Sequence, residues 1–256
     1  MLEQLVHWVK SDPSSGYYSL GITMGILAVS MLFSSLLRKW FYDRRQLFAF
    51  LILGFGSLFC MGLTLLRLHY AEQPAFFFLI WNLFLAWIPF LIAISIQWIH
   101  DRFNWKYLTL FFLGVWLLFF PNAPYIVTDL IHLKVRQPLP LWFDALLIVS
   151  FAWTGLMLGF VSLYEVQKFI TKQVNSRWGW ASTITAISLG SFGIYLGRFE
   201  RWNSWEIFYK PHKMLVEMVH LATTPKAIAV TILFSAFLLL GYLSIRVLAG
   251  ENKSNP

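Results

Sequence analysis

Seven long apolar runs constrain this chain more than any other feature of its sequence. They cover residues 17–37, 47–66, 76–99, 108–120, 141–163, 181–196 and 227–245. A helix needs roughly 20 apolar residues to cross a bilayer. The runs are continuous and lack the apolar–polar alternation of a membrane β-barrel. The sequence therefore predicts an all-α, polytopic transmembrane helix bundle of about seven spans.

The composition excludes the alternatives to a membrane protein. Charged residues make up 12% of the 256 residues, about half the share found in soluble domains, and hydrophobic residues make up 58%. A soluble domain could not bury so much apolar surface, and disordered, collagen-like and coiled-coil chains have other compositions. We predict one integral membrane domain over residues 1–256. Its polar parts would be an outer N-terminal segment (1–16), an outer connection with an interfacial helix (200–225) and a cytoplasmic tail (247–256).

The net charge of +8 bears on partners and on orientation. In a membrane protein, Lys and Arg collect in cytoplasmic loops near anionic lipids, so we predict membrane lipids and no nucleic acid as partners. Eleven of the 20 basic residues fall on the side that holds the C-terminus; of the other nine, five lie in the single connection 198–226. Setting that connection aside leaves eleven against four, which predicts an outer N-terminus and a cytoplasmic C-terminus in the cell membrane. The first run lacks a basic leader and is too long for a signal-peptide core, so we expect a retained span.

The fourth run is predicted to break at Pro121 and Pro124, because proline removes a backbone donor and clashes with the preceding turn. Pro124 is suited to the first position of a new half-helix, with Asn122 or Ala123 as its N-cap. The free N–H groups of such a half-helix attract anionic groups in some transporters.

A polar stripe follows the break. Tyr125, Asp129 and His132 are spaced i, i+4, i+7 on an otherwise apolar segment, and Thr128 joins the stripe four residues before His132. Asp129 and His132 could share a proton, hold a metal together with other ligands, or orient each other. Alternatively, this end of the helix lies at the outer interface and the pair is solvated. Asn122, Tyr125, Asp129 and His132 are thus candidate ligand-binding residues.

Arg198 and Arg201, at the outer end of the sixth run, are the other candidates. They are three residues apart on one helix face, and two guanidinium groups together suit a phosphate or carboxylate. The alternative is that both snorkel to lipid headgroups. GxxxG pairs in the fifth and sixth runs (Gly155 with Gly159, Gly193 with Gly197) predict that these helices touch, which would bring Arg198 near the break. We expect a structural role for Asn82 and a helix-dipole role for Asp144.

Three stretches resemble a bacterial family of uncharacterised polytopic membrane proteins, catalogued as domain of unknown function thirteen-sixty-one. They are FPNAPYIVTDLIHL, LWFDALLIVSFAWTGLMLGF and GIYLGRFERWNSW. The resemblance covers most of the chain from the second to the seventh run. It implies a multi-helix membrane protein and no particular activity, so no catalytic residue carries over.

Three functions remain open. The first is binding or transport of an anionic ligand, lipid-linked or carboxylated, at an outer polar pocket. The second is a structural or assembly role in the membrane. The third is an enzyme that uses Asp129 and His132. Phosphate-loop, dinucleotide, serine-elbow and HExxH motifs are absent from the sequence, and we expect neither a cofactor nor a resident metal.

Overall fold

The computed structural model describes residues 41, 43–71, 76–103, 105–202 and 211–248. The chain divides into two compact units, Met1–Leu47 and Phe48–Pro256, and the second is the one described below. The described helices are α1 (Arg44–Ala71), α2 (Phe77–Phe103), α3 (Lys106–Phe119), α4 (Asn122–Tyr125), the 3-10 helix η1 (Ile126–His132), α5 (Leu141–Gln173), α6 (Ser176–Phe199), α7 (Pro211–Ala222) and α8 (Pro225–Leu248).

The described helices are those of a multi-pass membrane protein. Five segments are long and apolar enough to cross a bilayer: Arg44–Tyr70, Phe77–Phe103, Lys106–His132, Leu141–Gln173 and Pro225–Leu248. Large apolar side chains on their outer faces, such as Phe55, Trp153 and Leu233, are more than 60% exposed. Hydrocarbon accommodates such surfaces, whereas water would drive them to aggregate.

The predicted all-α membrane bundle is therefore confirmed, but the exact number of spans is not. The first apolar run, residues 17–37, lies outside the described residues. The sixth run lies in α6, a helix of 24 residues that is not among the five most apolar segments. The prediction that residues 1–256 form one membrane domain stays a prediction.

Helix α5 holds the centre of the second unit. It packs on α2, α4, η1 and α6, and α8 packs on α6 and contacts α5 through the Phe160 and Tyr242 rings. Phe120, Phe160, Ile187 and Tyr242 belong to the buried apolar core between these helices. Near one end of the bundle, the last turns of α1 and α6 meet the beginnings of α5 and α8, through Arg67 with Asp144 and Phe199 with Lys226, and η1 bonds Arg198 of α6. We call this end of the bundle the site end.

The fourth span is interrupted at the two prolines, although its backbone stays helical. Helix α3 ends at Phe119, α4 begins at Asn122, and the flanking residues Phe120, Pro121 and Ile126 all have right-handed helical angles. The Ala123 N–H donates to the carbonyl of Phe120 at 3.2 Å. The carbonyl of Phe119, which Ala123 would bond in a regular α-helix, instead accepts from Asn122 Nδ2 at 3.0 Å.

The expectation of a half-helix that begins at Pro124 was therefore wrong. Pro124 is the third residue of α4, and Asn122 closes the preceding helix instead of capping the next one. The Tyr125 N–H is also used, by the carbonyl of Pro121 at 3.0 Å. Because these two N–H groups already bond within the turn, they are not available to an anion.

Residues 120–125, which we call the proline turn, pack against glycines of α5 and α6, and these glycines form the seat of the turn. A Cβ atom on Gly155 would lie 2.7 Å from the carbonyl oxygen of Ala123, and one on Gly193 would lie 2.6 Å from Pro121 Cγ. A Cβ on Gly197 would meet the Tyr125 ring at 3.0 Å. Helices α5 and α6 do touch, but these glycines make room for a third element packed against both helices.

Candidate functional site

Arg198, in the last turn of α6, is the centre of a polar cluster at the site end. Its Nε donates to Thr128 Oγ1 at 2.9 Å, and its Nη2 donates to Asp129 Oδ1 at 2.7 Å. Its Nη1 lies 3.4 Å from His132 Nε2. One guanidinium group thus joins three side chains of η1.

The winding of η1 explains how one arginine reaches all three. A 3-10 helix has 3.0 residues per turn, so residues three apart lie in line. His132 consequently lies in line with Asp129, and Thr128 with Tyr125. The Arg198 guanidinium carbon lies 5.1 Å from the centre of the Tyr125 ring, which adds a cation–π contact. Thr128 also belongs to the polar stripe predicted from the sequence, but the α-helical spacing put it in line with His132, whereas the 3-10 winding puts it in line with Tyr125.

Asp129 is almost fully buried, with 1% of its surface exposed, and both of its carboxylate oxygens are satisfied. Oδ1 accepts from Arg198, and Oδ2 accepts from Asn82 Nδ2 of α2 at 2.8 Å. A buried carboxylate is tolerated only when it is paired and hydrogen-bonded in this way. Asn82, for which the sequence predicted only a structural role, is therefore part of the cluster.

His132 and Asp129 do not bond each other, because Arg198 lies between them. Since a guanidinium group has only donors, the Nη1–Nε2 contact makes Nε2 the acceptor, which assigns the imidazole proton to Nδ1. The ring also packs edge-on against Phe78, with centroids 5.1 Å apart. Within the described ranges, no three His, Cys, Asp or Glu side chains are grouped so as to hold a metal ion.

A cavity of about 860 Å³ lies beside this cluster, between α2, α3, the proline turn, η1, α6 and α7. Five of the six residues singled out from the sequence line it: Asn122, Tyr125, His132, Arg198 and Arg201. The sixth, Asp129, is not a lining residue and acts on the cavity through Arg198. The structure thus brings the two predicted segments to one cavity.

The Asp, Glu, Lys and Arg residues that line the cavity within the described ranges are all cations. Lys134 and Arg201 line it and are exposed, and Arg198 is the third cation. Arg201 has a φ of 58°, in the left-handed region, and turns the chain at the end of α6. The next residue, Trp202, bonds back through its N–H to the carbonyl of Leu196 at 3.2 Å, which fixes the turn.

A known protein family includes all the residues that line the cavity. The family described as "Protein of unknown function (DUF1361)" matches residues 81–240. The chain belongs to this family. The match spans Asn82, the proline turn, η1, Arg198 and Arg201, so the complete cavity cluster falls inside the family region. No curated protein and no solved structure matches the chain.

A second buried ion pair lies at the same end of the bundle. Arg67 of α1 donates through Nε to Asp144 Oδ1 of α5 at 2.6 Å, and both side chains are at most 2% exposed. Asp144 was expected only to complement the dipole of its helix. Its partner is 77 residues away, a separation at which no local pattern in the sequence gives a signal.

The second ion pair connects to the cavity cluster through an aromatic ring. The guanidinium carbons of Arg67 and Arg136 lie 5.8 and 4.8 Å from the centre of the Phe76 ring. Arg136 Nη1 donates to the carbonyl of His132 at 3.1 Å. This chain of contacts supports the end of η1, where His132 lines the cavity.

Proposed function

We propose that this membrane protein binds an anionic ligand, lipid-linked or carboxylated, in the cavity beside Arg198, and that it transports or presents that ligand at the outer face. The observation that carries the proposal is a cavity of about 860 Å³ with three cationic side chains, Lys134, Arg198 and Arg201, in its wall. Asp129 offsets the charge of only Arg198. The polar wall therefore favours a ligand of opposite charge.

The hydrogen-bonding capacity of Arg198 supports this proposal. A guanidinium group has five N–H donors, and the described contacts use three of them, on Nε, Nη1 and Nη2. Because Asp129 and Thr128 hold the group in place, its remaining donors are preorganised and lose little side-chain entropy on binding. Arg201 and Lys134, which are more exposed, would contribute long-range attraction.

A structural role is the second candidate, because the Arg198 contacts join α6 to η1, and Asp129 extends them to Asn82 of α2. The geometry gives less support to acid–base catalysis by Asp129 and His132. Both oxygens of Asp129 already accept hydrogen bonds, and the His132 Nε2 faces Arg198. A proton acceptor for substrate needs a free lone pair directed into the cavity.

The test compares anionic molecules that copurify with the full chain in wild type and in the double variant Lys134→Gln with Arg201→Gln. These two cations line the cavity and are exposed, so their removal should leave the fold intact. Arg177→Gln is the matched control, since it removes an exposed cation from the opposite end of α6. Mass spectrometry of the extracted small molecules and lipids is the measurement.

We expect the double variant to lose at least tenfold of one anionic species that the Arg177→Gln protein retains. An unchanged set of anionic species in the double variant would contradict ligand binding at this cavity and favour the structural role. Metal analysis of the same samples addresses the enzyme alternative: a stoichiometric metal that disappears in His132→Ala would favour catalysis over binding.

A further inference from the structure

The chemistry of the cavity wall changes along α6. Leu189, Phe192, Gly193, Leu196 and Gly197 line the cavity in sequence steps of three and four, so one face of the helix borders it over more than two turns. The distance along the helix from Leu189 to Arg198 is about 13 Å, at 1.5 Å per residue. The cavity is thus elongated along the helix axis, with Arg198 near one end.

The end away from Arg198 is lined by leucines from three helices. Leu189 of α6, Leu85 of α2 and both Leu117 and Leu118 of α3 line it. On each span these leucines lie closer to the middle than the polar lining residue of the same helix or of the proline turn: Asn82, Asn122 or Arg198. No charged side chain of the described ranges lines this deeper part. The cavity therefore has a cationic mouth and an apolar end, at which Leu189 is 49% exposed at the surface of the bundle.

We propose that the ligand is an amphiphile, with a phosphate or carboxylate group at Arg198, Arg201 and Lys134 and a hydrocarbon chain along α6 among the leucines. This inference rests on the proposed function and narrows its ligand class. A small anion would fill only the mouth. Water in the leucine-lined part would find few of the two to four polar partners that an ordered water needs.

The experiment measures the binding of inorganic phosphate and of butyl, hexyl and octyl phosphate to the purified full chain in detergent. Partition of each probe into protein-free micelles is measured and subtracted. Burial of one methylene corresponds to about 0.8 kcal/mol, or a gain of about fourfold in affinity. We expect the wild type to show a gain of this order for each added methylene up to octyl phosphate.

Leu189→Trp tests where the hydrocarbon chain lies. The larger side chain fills the apolar part of the cavity, so the variant should still bind inorganic phosphate but lose the gain with chain length. Ile184→Trp is the matched control, because Ile184 is exposed on the same helix and does not line the cavity. Leu85→Phe repeats the test from α2 if the α6 variant fails to fold, as judged by gel filtration.

Each outcome separates this inference from the function on which it rests. Phosphate binding without any dependence on chain length would overturn the inference and leave the proposed anion site standing. The same dependence in Leu189→Trp as in Ile184→Trp would also overturn it. Binding of no probe at all would reject both proposals. Mass spectrometry of the native ligand distinguishes a membrane lipid from a free alkyl anion, and a ligand without a hydrocarbon chain would overturn the inference.

Discussion

The buried pair of Arg198 and Asp129 supports a quantitative prediction. The carboxylate side chain is 2% exposed and the arginine side chain 16%, and the bond between them is 2.7 Å long. Removing one member of such a pair leaves the other charge buried without compensation, which costs about 3–5 kcal/mol. We expect Arg198→Met and Asp129→Leu each to lower the free energy of unfolding by about that amount.

The double variant should cost much less than the sum of the two single variants. With both charges gone, the main remaining cost is the lost hydrogen bond of Asn82, at about 1–3 kcal/mol, because Thr128 still donates to the carbonyl of Tyr125 at 2.7 Å. The two substitutions should therefore interact by at least about 2 kcal/mol. Side chains that are distant and share no partner would instead add to within about 0.5 kcal/mol.

The assay is unfolding of the purified protein by sodium dodecyl sulfate in mixed micelles, followed by circular dichroism. Arg177→Met serves as the control, since it removes an exposed cation of the same helix and should change stability by less than about 0.5 kcal/mol. The buried pair would be refuted if each single variant lowered the free energy of unfolding by less than about 1 kcal/mol. It would also be refuted if the loss in the double variant equalled the sum of the two single losses. Asp129 would then not hold the Arg198 guanidinium in place for a ligand.

Three further predictions concern the seat of the proline turn, the second ion pair and the orientation. Gly193→Ala should cost about 1–3 kcal/mol in the same unfolding assay, because its Cβ would overlap Pro121, whereas Gly54→Ala, with open space around it, should be neutral or slightly stabilising. Asp144→Asn should cost about 3–5 kcal/mol by leaving a buried arginine unpaired, and a loss below about 1 kcal/mol would contradict the pairing. A reporter active only outside the cytoplasm should work when inserted at Thr223 and fail when fused after Leu248; the opposite result would reverse the predicted orientation.

Apolar runs and proline positions were enough to predict the helices and the interruption of the fourth span. The end of α5 was placed too early, at residue 163, because polar residues follow it, whereas the helix continues to Gln173. Two of those polar residues, Glu165 and Gln167, are buried in the bundle. A hydropathy pattern cannot distinguish a polar residue that leaves the membrane from one that is buried between helices.

The approach of Arg198 to the break was inferred for a sound physical reason, the small residues of α5 and α6. The partners of the cluster were not inferred, because pairing between helices depends on how each helix is rotated. Asn82 and Asp129 are 47 residues apart, and their bond is set by the rotation of α2 against η1. The carboxylate could equally have been matched with several other polar side chains.

The proline turn, the 3-10 helix and Arg198 act as one unit. A 3-10 helix of seven residues is unusual, since runs longer than three or four are uncommon and their hydrogen bonds have poorer geometry. External contacts must therefore stabilise η1, and Arg198 supplies three of them through Thr128, Asp129 and His132. If η1 relaxed to an α-helix, the angle from Asp129 to His132 would change from about 360° to about 300°, and His132 would turn about 60° out of line. The same guanidinium that faces the cavity thus maintains the winding that keeps His132 in its wall.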